Sequence, residues 1–195
     1  MRLIADIRKT WPRRLAEPVA RLVAKTGLSP NTLSVLGFFL NIGVAAIIAS
    51  GHLLAGGILV LFAGAFDLLD GTVARLTQRS TRFGALLDST LDRLSDAALL
   101  FGLLVLYVRQ HSSGEILLVF IALVGSMMVS YIRARAEGLQ LECEVGLLAR
   151  GERVVVLALG LLFNRVIIAL WLLAILTSIT AAQRVLYVWQ KAKGK

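Results

Sequence analysis

Residues 53–108 read LLAGGILVLFAGAFDLLDGTVARLTQRSTRFGALLDSTLDRLSDAALLFGLLVLYV. Two apolar runs, about 53–75 and about 84–108, each meet the ~20 residues needed to cross a bilayer, and a short polar loop joins them. Both runs break the rule that membrane helices avoid charge. The first carries Asp67, Asp70 and Arg75, the second Asp88, Asp92, Arg93 and Asp96. Ionisable groups at membrane depth are costly, so their default reading is functional. Asp67 and Asp70 are three residues apart and Asp88 and Asp92 four, so each pair shares one helix face. At ~1.5 Å per residue, Asp67 lies ~21 Å from the outer end of its helix and Asp92 ~12 Å from the inner end of its own. In a ~30 Å core those depths nearly coincide, and Asp70 falls roughly level with Asp88. The spacing predicts four carboxylates converging in the cytoplasmic third of the membrane.

Four facing carboxylates cannot all stay ionised without cations. All-oxygen ligation suits Mg²⁺ or Mn²⁺, and shared carboxylates suit a pair of ions. Softer metals lack ligands, because Cys143 is the single cysteine and His52 and His111 fall in turns on the opposite side. Gly71, Ala74 and Gly84 leave room for backbone to approach a ligand. Arg75, Thr81 and Arg82 add donors of the kind that hold phosphate. For Asp96 the alternative is a structural ion pair with Arg93 or another arginine.

The remainder of the chain agrees with a membrane setting. Of 195 residues, 57% are hydrophobic and 17% charged, against roughly half and a quarter in soluble domains. Mean hydropathy is +0.79. A disordered chain, a coiled coil and a disulfide scaffold are excluded. The fold class expected is all-α and polytopic, with six transmembrane helices at about 33–50, 53–75, 84–108, 115–136, 152–164 and 166–189. The first is opened by the helix-start signal Ser29-Pro30-Asn31-Thr32. These spans form one domain over residues 27–195. Residues 1–26 form a juxtamembrane segment in which Leu3, Ile4, Ile7, Trp11, Leu15, Val19, Leu22 and Val23 make an apolar stripe among basic residues. That pattern predicts an amphipathic helix lying in the headgroup plane, kinked or broken into pieces at Pro12 and Pro18.

Lys and Arg total 21 against 12 Asp and Glu, a net charge of +9. Because the basic residues flank apolar runs, they point to anionic lipid heads and phosphorylated substrates, not to nucleic acid. They collect in the N-terminal segment, at Arg79 and Arg82, from Arg133 to Arg153, and at Lys191, Lys193 and Lys195. A multi-pass protein of the cell membrane with both termini and the acid cluster on the cytoplasmic side is expected.

Taken together, Asp67-x-x-Asp70-Gly71-x-x-Ala74-Arg75, eight residues, then Gly84-x-x-x-Asp88-x-x-x-Asp92 resembles the signature of the CDP-alcohol phosphotransferase (CDP-alcohol phosphatidyltransferase) family, with every signature position filled. The resemblance implies an enzyme in which an alcohol attacks a phosphorus of a CDP-linked lipid and CMP leaves. It implies that Asp67, Asp70 and Asp88 hold one divalent ion and Asp67, Asp88 and Asp92 a second, with Asp92 the general base. Gly71, Arg75, Thr81 and Gly84 match positions on the CDP side, and Pro30, Asn31, Thr32 and Leu33 would line the nucleotide pocket. A homodimer is expected on the same ground, with Gly37, Gly43, Gly57 and Gly64 available for close helix contact.

Arg133, Arg150, Arg153 and Arg184 fall on the side of the acids, and clustered guanidinium groups read as a phosphate site. A phosphorylated acceptor is therefore favoured over choline or ethanolamine. This region, with Leu91-Asp92-Arg93 and Asp96-Ala97, resembles the phosphatidylinositol-phosphate synthase branch, whose acceptor is inositol 1-phosphate. Arg133 departs from that pattern by standing where a lysine is expected. The donor would be CDP-diacylglycerol or an ether-lipid analogue. One alternative is a phosphatidylglycerophosphate synthase using glycerol 3-phosphate, although its Gly-Lys-x-Lys-Thr-like stretch is not found. Outside this class stands a cation or proton transporter, whose site would lie near the midplane between repeated halves. No repeat is visible here.

Overall fold

In the computed structural model the described residues are 17–78 and 81–193, and their regular structure is helical. Helix α1 covers residues 17–25, followed by α2 (Pro30–Ala49), α3 (Leu53–Leu76), α4 (Arg82–Arg109), α5 (Ser113–Gly138), α6 (Arg150–Leu162) and α7 (Val166–Lys193). The six apolar runs correspond to α2 through α7, within a few residues at each end. Most of the expected amphipathic stripe, with Pro12, lies outside the described residues, as do Arg79 and Lys195. Pro18 falls in the first turn of α1, where proline is tolerated, and the chain before residue 17, in which a kink or break is expected, lies outside the described residues.

Helices α2, α3, α5 and α7 are long and apolar enough to cross a membrane. Composition and length thus single out four spans where six are expected. The 28-residue α4 is diluted by its acids and arginines. The 13 residues of α6 reach only about 20 Å, short of a ~30 Å hydrocarbon core.

Helix starts follow from local chemistry. The Thr32 N–H donates to Ser29 Oγ at 3.1 Å, with Pro30 in the first helical position. The Gly84 N–H donates to Thr81 Oγ1 at 2.9 Å, which caps α4. The Ala149 N–H donates to Glu152 Oε2 at 2.7 Å at the start of α6. Helix ends turn through left-handed backbone, at Gly27 (φ +76°) after α1 and Gly51 (φ +89°) after α2, and at Asn164 (φ +52°) after α6.

Two compact units are distinguished. Among the described residues, the first comprises 17–42 together with 62–78 and 81–95. Its core joins Ala20 of α1, Leu33 of α2, and Leu69 and Val73 of α3, with Val23, Ala24 and Phe66 packed against them. The described part of the N-terminal segment therefore buries its 20/23/24 face, while Val19 and Leu22 of the expected stripe stay exposed. The second unit comprises Gly43–Leu61 and the chain from Asp96 onward. Its larger core includes Ile48, Leu103, Val119, Leu161 and Leu170, and α5 runs along α7.

Glycine permits close helix approaches in the second unit. A Cβ on Gly102 of α4 would stand 2.4 Å from the Ala45 carbonyl oxygen of α2. A Cβ on Gly125 of α5 would stand 2.1 Å from Thr177 Oγ1 of α7. Backbone cannot swing aside as a side chain can, so Gly102→Ala should destabilise the protein by about 1–3 kcal/mol. Gly43→Ala, whose Cβ would meet nothing within 4 Å, should change stability far less. Thermal unfolding of the two detergent-solubilised variants checks this, and equal midpoints would contradict the close α2–α4 approach.

Candidate metal and phosphate site

In the first unit, α2, α3 and α4 surround a pocket of about 190 Å³. It is lined by Pro30, Asn31 and Ser34 of α2, by Asp70, Gly71, Ala74 and Arg75 of α3, by Thr81, and by Gly84, Ala85 and Asp88 of α4. Helical phase assembles the set, because steps of three and four return a side chain to the same face. The caps at Ser29 and Thr81 fix where α2 and α4 begin, and with that the phase of each wall.

Two glycines shape the pocket in opposite ways. A Cβ on Gly71 would meet nothing within 4 Å, so the bare backbone opens onto the space. A Cβ on Gly84 would stand 2.8 Å from Asn31 Oδ1 and 3.0 Å from Thr81 Oγ1. The missing side chain there lets two polar groups close onto the start of α4.

Asp70 is buried, and its carboxylate is met locally. Ser34 Oγ donates to Oδ2 at 2.7 Å, and the Gly71 N–H donates to Oδ1. Half-buried Asp88 belongs to the same lining and interacts with Asp70. Arg75 is exposed and donates through Nη2 to Thr72 Oγ1 at 3.3 Å. Asp67 is half-buried against α2, where a Cβ on Gly37 would stand 2.7 Å from its Oδ1. Asp92 is half-buried one turn beyond Asp88 on α4.

Of the four acids expected to converge, Asp70 and Asp88 share the pocket, whereas Asp67 and Asp92 are not part of its lining. Among the described residues, no three or more His, Cys, Asp or Glu side chains form a ready-made metal cage. The donor set nonetheless fits a hard divalent cation: the acids offer oxygen ligands, no His or Cys lines the pocket, and the bare backbone of Gly71 leaves space beside them.

The expected nucleotide residues divide. Pro30, Asn31, Gly71, Arg75, Thr81 and Gly84 line the pocket. Leu33 does not: it is buried with Leu69 and Val73, and Thr32 is exposed with its hydroxyl 2.8 Å from that of Ser29. At 3.6 residues per turn, positions 32 and 33 leave the face shared by 30, 31 and 34. Ser34 is the residue that sequence reading missed, although its place four residues after Pro30 marks that same face.

The arginines expected to hold the acceptor belong to the second unit. Asp96 of α4 lies 2.9 Å from Arg153 Nη2 and 3.4 Å from Arg150 Nε, so of its possible partners the α6 arginines are the ones realised. Arg93 instead donates to the Ser89 carbonyl of its own helix. Buried Arg184 of α7 donates to the backbone carbonyls of Val145 at 2.8 Å and of Val129. Arg133 is exposed and paired with Glu137 at 2.8 Å.

The family model for CDP-alcohol phosphatidyltransferases matches residues 27–189. The archaetidylinositol phosphate synthase of Methanothermobacter thermautotrophicus is 39% identical over 187 residues, covering 93% of this chain and 92% of that protein. The crystal structure of Mycobacterium tuberculosis phosphatidylinositol phosphate synthase with CDP-DAG bound matches with a TM-score of 0.84 at 35% identity, covering 90% of this chain and 94% of that one. The same protein in complex with manganese and citrate matches with a TM-score of 0.82 at 35% identity, covering 89% and 88%.

If the pocket acids are ligands, Asp70→Asn and Asp88→Asn should each weaken Mn²⁺ binding by about tenfold or more, since even outer-shell partners of a metal contribute that much. Titration of purified, detergent-solubilised protein followed by electron paramagnetic resonance reads this directly. Unchanged Mn²⁺ affinity in both variants would remove these acids from any metal site.

Proposed function

Because the chain belongs to the CDP-alcohol phosphatidyltransferase family, we propose that it transfers the phosphatidyl group of CDP-diacylglycerol, or its ether-lipid analogue, to a hydroxyl of inositol 1-phosphate. The products are phosphatidylinositol phosphate, or its ether-lipid counterpart, and CMP. The observation that carries this reading is the pocket in which Asp70 and Asp88 meet Gly71, Arg75 and Thr81. Carboxylates for cations and donors for phosphate stand there together. The names of the relatives support the choice of inositol phosphate.

In this reading Asp67, Asp70, Asp88 and Asp92 would hold two Mg²⁺ or Mn²⁺ ions, which supply neutralisation of the charge that develops on departing CMP. Asp92 takes the proton of the acceptor hydroxyl while that oxygen bonds to the lipid-bearing phosphorus and the bond to CMP breaks. Ser34 keeps the Asp70 carboxylate oriented through its 2.7 Å hydrogen bond. Arg75, Thr81, Gly71 and Gly84 receive the CDP group, with Pro30 and Asn31 bordering the nucleotide. Arg133, Arg150, Arg153 and Arg184 recognise the acceptor phosphate, a task suited to planar, permanently charged guanidinium groups. In the membrane, α4 and α6 join the four apolar helices as spans, residues 1–26 lie at the interface, both termini face the cytoplasm, and the protein is a homodimer.

The test is a two-substrate kinetic matrix on purified protein with CDP-diacylglycerol, Mg²⁺ or Mn²⁺, and inositol 1-phosphate, glycerol 3-phosphate or free inositol. Inositol phosphate should drive CMP release. Free inositol forfeits the charge-assisted hydrogen bonds to phosphate, about 1.5–3 kcal/mol, and should fall roughly ten- to hundredfold in kcat/KM. Arg75→Ala should raise the KM of the CDP-lipid more than that of the acceptor. Preference for glycerol 3-phosphate would overturn the acceptor and keep the chemistry, whereas equal use of free inositol would remove the arginines from acceptor binding.

A further inference from the structure

Asp96 stands outside the acidic signature, yet it is the residue on which two of the arginines converge. Its side chain is 12% exposed. Each carboxylate oxygen faces a different arginine of α6: Oδ2 lies 2.9 Å from Arg153 Nη2, and Oδ1 lies 3.4 Å from Arg150 Nε. The side chain of Arg153 is 6% exposed and that of Arg150 29%. Arg150 Nε and Arg153 Nε are both buried and make no hydrogen bond among the described residues, so Asp96 holds Arg150 by charge and Arg153 by charge and the Nη2 hydrogen bond.

Beside the pair, Leu99, Leu100, Leu157 and Leu173 help enclose a cavity of about 20 Å³. That is room for about one water and not for a phosphate. An anion therefore approaches from the more exposed Arg150 side, and Arg153 acts from behind. An exposed ion pair would contribute little to such an arrangement. A buried one differs, because removing a partner leaves an uncompensated charge and the remaining groups must shift to find a new one. The carboxylate also separates two guanidinium groups that would otherwise repel, and the trio keeps a net positive charge for an anion.

We propose that Asp96 is a positioning residue for the acceptor: by holding Arg150 and Arg153 through its two carboxylate oxygens, it sets the geometry in which they receive the acceptor's phosphate. This rests on the phosphorylated-acceptor reading above. The amide of Asp96→Asn keeps the shape but loses the charge and one acceptor oxygen, so the arginines lose their common anchor. The competing expectation is that removing a negative charge strengthens anion binding, but a buried Arg153 gains no reach toward an anion by losing its partner.

The experiment measures KM for both substrates in Asp96→Asn and Asp96→Glu, each with Arg150 intact and in an Arg150→Gln background. Asp96→Asn should raise the acceptor KM about tenfold or more and change the CDP-lipid KM by less than about twofold. Asp96→Glu, which retains the charge, should recover part of the loss. In the Arg150→Gln background Asp96→Asn should add much less than it does alone, since the two residues act as one unit. Thermal stabilisation by CDP-lipid reports an intact donor site in every variant. Should Asp96→Asn fail to fold, Asp96→Glu carries the same comparison through its displaced carboxylate. An unchanged or lowered acceptor KM, a parallel rise in both KM values, full additivity with Arg150→Gln, or loss of CDP-lipid stabilisation in both variants would overturn the proposal. The unmodified protein separates the two readings. If it prefers an unphosphorylated acceptor, the functional reading fails and Asp96 with it, whereas normal use of inositol phosphate with an indifferent Asp96 defeats the positioning role alone.

Discussion

A carboxylate packed among apolar helices must find its donors or counter-charges within the protein, because apolar side chains supply none. Two such acids organise the described structure. Asp70 is met by a hydroxyl from α2 and by a backbone N–H of its own helix. Asp96 is met by two guanidinium groups from α6. The first solution supplies hydrogen bonds and, among the described residues, no counter-charge, which suits a cation. The second cancels it and leaves positive charge over, which suits an anion. One residue type thus creates opposite local surroundings, and the partner decides which.

The partners are placed by helix phase, and phase is set at the caps. Ser29 with Pro30 fixes the start of α2, so Pro30, Asn31 and Ser34 face the pocket while Leu33 enters the apolar core. Thr81 does the same for α4 and also lines the pocket that its cap helps to build. Glycine decides how closely the walls approach. Gly84 lets Asn31 and Thr81 pack onto α4, Gly71 leaves its backbone open, and Gly37 admits the Asp67 carboxylate to the surface of α2. A methyl group at these three positions would have three different consequences, which composition alone does not distinguish.

The arginines differ as much as the acids. Arg184 is buried and holds backbone carbonyls of Val129 and Val145, so it orders the segment between α5 and α6 as well as carrying charge. Arg153 is buried behind Asp96, Arg150 is partly open, and Arg133 is exposed with a glutamate one turn away. Four cations of one residue type are therefore held to four different extents, from buried to exposed. In the proposed acceptor site, a guanidinium already held by the protein loses less freedom on binding a phosphate, so Arg150, paired with Asp96 yet partly open, is the member best placed to meet it.

By itself the sequence determined the helical class, the limits of α2 through α7 to within a few residues, the acidic signature and most of the pocket lining. Those features are periodic or local: an apolar run of a given length, a Ser-Pro cap, and acids three or four residues apart carry their meaning within one helix. It did not determine that Leu33 belongs to the core, that Ser34 supports Asp70, that Asp96 pairs with α6 and not with its neighbour Arg93, or that Arg184 is held by backbone carbonyls. Each of these depends on which face one helix turns toward another and on which donor arrives first within about 3 Å, where a hydrogen bond becomes possible. Spacing along one helix leaves that choice open. Only the packed helices, with glycine setting how near they come, decide it.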